Sequence, residues 1–115
     1  MSAGGRAACV VGVGETRYAK WGGITGCLAV AREATKAQRT YCPHFLGGGI
    51  GLLASAHLLA ACNGGLLEVD CNDNPLREQF CRSVVEVEDG EITLADAPGL
   101  GIEPDLAPIA KYRTL

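Results

Sequence analysis

The stretch from Ile50 to Cys62, Ile-Gly-Leu-Leu-Ala-Ser-Ala-His-Leu-Leu-Ala-Ala-Cys, constrains this chain more than any other part of it. It is long enough for more than three turns of helix. It is also apolar almost all round, and such a helix is stable only when most of its faces are covered. Gly47, Gly48, Gly49 and Gly51 surround its start, and Gly64-Gly65 ends it. The rest of the 115-residue chain must therefore bury it on most of its faces. Hydrophobic residues make up 48% of the chain but aromatics only 5%, so the wrapping has to be done by Ala, Val, Leu and Ile. A chain of this length buries roughly two thirds of its unfolded surface, which suits a single domain over 1–115.

On either side of that helix the pattern alternates. Ala8 to Val13 is a short apolar run ending among Gly12 and Gly14, which reads as a buried strand. Ile24 to Lys36 carries Ile24, Cys27, Leu28, Ala31 and Ala34 at helical spacing, with Arg32, Glu33 and Lys36 on the other face and Thr25 as its expected N-cap. Thr40 to Pro43 is read as a second strand stopping at His44, because Pro43 pushes the residue before it into an extended conformation. Leu66 to Asp70 is read as a third, with Leu67 and Val69 on one side and Glu68 and Asp70 on the other. Cys71 to Arg82 is polar and irregular. Val84–Glu88 and Glu91–Leu94 flank Asp89-Gly90, a strong hairpin signal. The glycines and prolines after Ala97 predict an extended tail with a short helix near 107–112. Strand, helix, strand, helix, strand predicts an α/β fold with a parallel sheet and helical crossovers, followed by a C-terminal β-hairpin and tail. The open edges of so small a sheet invite pairing with a second copy, so a homo-oligomer is expected.

Composition narrows the function classes. The net charge is −3 and the cations are scattered, so no patch is offered to nucleic acid. No apolar run reaches the length of a membrane span. The run Ala7 to Val13 has only Arg6 before it and no cleavage pattern, so no secretory leader is expected. The cysteines at 9, 27, 42, 62, 71 and 81 form no Cys-x-x-Cys pair, and several lie in apolar runs. A cytoplasmic setting with reduced thiols is the expectation.

His44 and Glu68 both close segments read as strands, and in parallel sheets the C-terminal strand ends carry the chemistry. His44 is thus a candidate general base, or else an ordinary loop histidine. Glu68 is a candidate acid or substrate-binding group, or else a structurally paired carboxylate, since burying it bare is costly. Asp70 is nearer the loop and reads as solvated or turn-forming. His57 has apolar neighbours on every side and reads as a hydrogen-bonded core histidine, and its spacing to His44, Cys42 and Cys62 fits no zinc framework. No metal ligands are assigned. Gly47, Gly48 and Gly49 form a candidate substrate loop whose bare backbone lets a ligand approach; the Lys-Ser/Thr of a phosphate loop and a full dinucleotide fingerprint are missing.

Cys42-Pro-His-Phe-Leu-Gly-Gly-Gly-Ile-Gly-Leu-Leu-Ala-Ser-Ala-His-Leu-Leu-Ala-Ala, followed by Leu66-Leu-Glu-Val-Asp-Cys-Asn, resembles the end of the enolase superfamily barrel, in its mandelate racemase/muconate lactonizing enzyme branch. The stretch Val84–Leu94 and Asp96-Ala-Pro-Gly-Leu-Gly-Ile look like that branch's C-terminal segment, and Lys20-Trp-Gly-Gly-Ile-Thr-Gly like the region at barrel strand six. The resemblance spans about residues 20–115. It implies a partial parallel β/α-barrel, with about three of its strands, when a whole barrel takes about 250 residues. On this reading residues 20–82 are the last βα units and 83–115 the hairpin and tail.

The resemblance further implies that a base abstracts the proton α to the carboxylate of a small substrate, with magnesium stabilising the enediolate. His44 falls at the position of the histidine base and Glu68 at a glutamate that contacts the substrate carboxylate region. The family's magnesium ligands lie upstream of anything matched here, so the chain itself is expected to bind no cofactor. The position three residues before Lys20, often an Asp that partners the histidine, is Arg17, which cannot accept an imidazole proton. The expectation is therefore a C-terminal fragment of a racemase, dehydratase or cycloisomerase, inactive alone, with a self-associating non-enzymatic module as the alternative. Residues 4–25 resemble the opening of thiolase-like acyltransferases without their nucleophilic Cys, which would make 1–19 a strand and loop of different origin.

Overall fold

The computed structural model describes residues 23–79 and 87–114. Within them lie three α-helices, α1 (Gly23–Lys36), α2 (Gly49–Ala61) and α3 (Pro75–Glu78), and a 3-10 turn, Ala110–Tyr112. The expected strand Ala8 to Val13, the 1–19 unit and most of the strand before Asp89 fall outside the described residues.

The central helix is α2. Its buried residues, Gly49, Leu52, Leu53, Ser55, Ala56 and Leu58, cover more than one face, as the all-round apolar sequence requires. It touches α1 on one side and α3 on another. Ser55 satisfies its buried hydroxyl by donating to the Gly51 carbonyl (2.9 Å). From α1 comes a narrow stripe, Cys27, Ala31 and Ala34, whose i, i+4, i+7 spacing keeps small side chains on one line. The helix begins at Gly23, so Thr25 lies inside its first turn and is not its cap. The ends of α2 are set by backbone chemistry. Asn63 takes a left-handed conformation (φ 48°). Gly64 N–H then reaches back to the Leu59 carbonyl (3.1 Å) and Asn63 N–H to that of Ala60 (3.4 Å). This pattern closes the helix by satisfying its last free carbonyls.

Among the described residues the expected parallel sheet is absent: no strand occurs there, and the regular elements are all helical. The segments read as strands at 40–43 and 66–70 do lie side by side, with Gly65 N–H donating to the Tyr41 carbonyl (2.9 Å). A ladder fails to propagate from that bond for local reasons. Leu66 N–H goes to the Cys42 thiol (3.4 Å) instead of a carbonyl. Pro43, buried, has no N–H to give. Leu66 is 80% exposed, so no neighbouring strand covers this side. Two extended segments joined this thinly fall short of the three or more strands a stable sheet needs. The partial-barrel reading goes with it. Of the hairpin, the turn forms: Glu88 and Glu91 exchange both backbone hydrogen bonds (3.0 and 2.8 Å). Asp89 and Gly90 between them both have positive φ (50° and 82°), the signature of a type I′ turn. The tail closes on the short turn Ala110–Tyr112, inside the expected 107–112 helix. No described helix is long and apolar enough to cross a membrane.

Leu53, fully buried between the helices, anchors this arrangement, whereas Val30 on α1 is 49% exposed. Leu53→Ala is expected to cost about 2–4 kcal/mol. Val30→Ala is expected to change stability by no more than about 0.5 kcal/mol. Urea titrations followed by far-UV circular dichroism measure both.

Candidate functional site

His44 and Glu68 come from the two extended segments, 24 residues apart in sequence, and meet with His44 Nδ1 2.6 Å from Glu68 Oε2. The two segments are tied on both sides of this contact. On one side is the Gly65–Tyr41 backbone bond with the Leu66–Cys42 thiol contact. On the other, Asn74 Nδ2 donates to the Gly47 carbonyl (3.2 Å). Between these ties Pro43, immediately before His44, is buried and cannot shift freely. Alternation along the extended chain sends Leu67 and Val69 into an apolar cleft of about 420 Å³ shared with Leu59 and Ile92, while Glu68 faces His44.

The second segment is held by a turn whose sequence, Cys71 to Arg82, reads only as polar and irregular. Asn74 caps α3, its side chain accepting from Leu76 N–H (3.1 Å) and Arg77 N–H (3.3 Å). Glu78 reaches back to Asn74 N–H (3.1 Å). The signal was present as Asn74-Pro75, a cap residue followed by proline at the first helical position. Arg77, whose side chain is only 13% exposed, donates to the carbonyls of Asp70 and Asn72 (both 2.7 Å) and pairs with Glu78 (3.0 Å). Arg77 and Asn74 thus bind the turn to itself and to the glycine loop.

The other residues singled out from sequence are placed as follows. Gly47 and Gly48 lead into α2, with Gly48 as its N-cap and Gly49 its first residue. A Cβ on Gly47 or Gly51 would overlap the Phe45 ring, so at these positions the missing side chain is filled from within the chain. His57 is half-buried on α2, with Nε2 3.3 Å from the Leu100 carbonyl, which can only accept, so this nitrogen donates and moors the tail. Asp70 shapes a turn: its Oδ1 accepts from Asn72 N–H (3.0 Å) and the Asn72 amide (2.7 Å). No group of three or more His, Cys, Asp or Glu among the described residues could hold a metal ion. The magnesium implied by the resemblance therefore does not fit a donor set built from these residues.

Asp70 is held below the ordinary aspartate range, foremost by the Asn72 backbone N–H; lost hydration opposes this, while the Asn72 amide and the Arg77 guanidinium add to the lowering. A carboxyl whose pKa is depressed in the folded state stabilises that state above its unfolded value and loses the effect as pH falls through the folded one. The stability difference between the native chain and Asp70→Ala is thus expected to be constant from neutral pH down to about pH 4, then to close under further acidification. Urea titrations across that range measure it, and a gap that persists to about pH 2 would show that the ionised carboxylate is not its source.

Residues 7–108 match the family model described as enolase C-terminal domain-like. The match runs through most of the 4–25 segment, whose resemblance to thiolase-like acyltransferases is not supported. Among characterised proteins, the chain is 31% identical over 80 residues to an arabinonate dehydratase of Saccharolobus solfataricus, covering 70% of this chain and 21% of that protein. It is 29% identical over 101 residues to a D-galactarolactone cycloisomerase of Agrobacterium fabrum, covering 80% of this chain and 27% of that protein. The chain thus spans about a fifth to a quarter of the length of these relatives. No solved structure matches. The extent of the family match decides the assignment: this chain belongs to the enolase C-terminal domain-like family.

Proposed function

We propose that this chain is the C-terminal part of an enzyme like mandelate racemase or muconate lactonizing enzyme, one that removes the proton α to a carboxylate, and that it turns over nothing alone. The observation that carries the reading is the 2.6 Å contact between His44 and Glu68. These are the two residues at the positions of the family's base and substrate-contacting glutamate, and they come from separate segments. An imidazole accepts and returns protons near neutral pH, which suits it to the abstraction step. Glu68 lies beside it, within hydrogen-bond distance of the imidazole. The names of the relatives, an arabinonate dehydratase and a galactarolactone cycloisomerase, support acid sugars or their lactones as the substrate class.

A chimera tests this. The matching segment of the Saccharolobus arabinonate dehydratase is replaced by residues 23–108 of this chain, and α-hydrogen exchange of arabinonate in deuterium oxide is followed by proton NMR. The chimera is expected to exchange, His44→Ala to slow it by about 100-fold or more, and the isolated chain to give none. A folded chimera indifferent to His44→Ala would sink the assignment.

A second reading, a non-enzymatic module that self-associates, is favoured by the apolar side chains left in solvent, Ile24 (53%), Leu106 (64%) and Leu66. Light scattering over a range of concentrations distinguishes it. A mass that rises toward twice that of the 11.9 kDa chain is expected on this reading, and a monomer throughout discards it.

A further inference from the structure

We infer that Glu68 is a positioning residue for His44: its carboxylate holds the imidazole in the tautomer that carries the proton on Nδ1 and leaves Nε2 as the basic nitrogen. The inference rests on the proposed role of His44 as a base, but its chemistry is visible without substrate. An ionised carboxylate can only accept, so a neutral imidazole bonded to it through Nδ1 must donate from that nitrogen. At 2.6 Å the contact is as short as charge-assisted hydrogen bonds become. Free histidine favours the opposite tautomer, with the proton on Nε2, so the geometry calls for a reversal that only a local partner can produce.

Exposure sets the size of the effect. The side chains of His44 and Glu68 are 64% and 52% exposed, so water competes for both partners. Exposed pairs of this kind are weak largely because two mobile side chains must be ordered together. Here much of the ordering is done by the backbone. Tyr41–Gly65 on one side and Gly47–Asn74 on the other hold the two segments in register, and buried Pro43 fixes the residue before the histidine. The carboxylate is thereby presented to Nδ1 and not to Nε2, which is left directed away from its partner. A structural ion pair would need only the attraction between opposite charges. A tautomer-setting pair acts on the neutral imidazole, the form that abstracts a proton.

The test is made on the full 115-residue chain, labelled with nitrogen-15, using long-range nitrogen–proton correlation spectra of the histidine rings. In spectra recorded at about pH 9, the two ring-nitrogen shifts of His44 report the tautomer directly. His44 is expected to be mainly protonated on Nδ1. Glu68→Ala is expected to move the tautomer ratio toward Nε2–H by up to about fivefold, the range an exposed pair supports. Glu68→Gln, whose side-chain carbonyl still accepts, is expected to fall between the two. The signals of His57, bonded to Leu100 on the other side of α2, serve as the internal check that each variant keeps its fold. A majority Nε2–H tautomer in the native chain, or a ratio unmoved in both variants while the His57 shifts stay in place, would overturn the inference. Because no substrate is involved, this result stands apart from the chimera: an inactive chimera with the Nδ1–H tautomer refutes the proposed reaction, and an active one without it refutes the positioning role.

Discussion

The structure depends on covering α2. Thirteen residues that are apolar on nearly every face cannot be left in water, and the cover available is thin: a stripe of Cys27, Ala31 and Ala34 from α1, the short α3, and the turns that link them. Small side chains allow close approach of the helices but bring little area each, at roughly 25 cal/mol for each Å² removed from water. The stability of the whole is therefore concentrated in a few leucines, with Leu52 and Leu53 almost fully enclosed.

The site is assembled on the outside of that core and contributes little to holding it together. Its two partners are largely in solvent, where pairs of charges are worth at most about 1 kcal/mol. What holds them in place is a set of backbone-directed bonds: Tyr41 to Gly65, Gly47 to Asn74, and Arg77 to the carbonyls of Asp70 and Asn72. Each of these groups would otherwise be a polar atom competing for water, and each is used to bring together segments that share no regular secondary structure. Order in this part of the chain comes from single bonds to the main chain, most of them from side chains, and not from a ladder.

That division explains what could be read in advance. Helical spacing located α1 and α2 to within a residue or so at most ends, because periodicity is a local property. Asp89-Gly90 announced its turn for the same reason. Whether an extended segment becomes a strand depends on a neighbour that donates and accepts in register, and here Leu66 N–H finds a thiol while Pro43 offers nothing. Short apolar runs carry no record of that. His44 and Glu68 were each noticed from position, but their meeting depends on a closure over 24 residues that no spacing rule contains. The roles of Arg77 and Asn74 are not legible in the sequence because a four-residue helix is too short to show a period, although the Asn-Pro pair marks its start.

Phe45 links these two halves of the molecule. Its ring fills the space that side chains at Gly47 and Gly51 would take, so the residue following His44 is seated against the first turn of the central helix. The glycines therefore serve the histidine from a distance. A methyl group at either would require the Phe45 ring to move. Divergence in this chain is thus restricted at sites remote from any reacting atom: the aromatic ring and its two glycines can change only together.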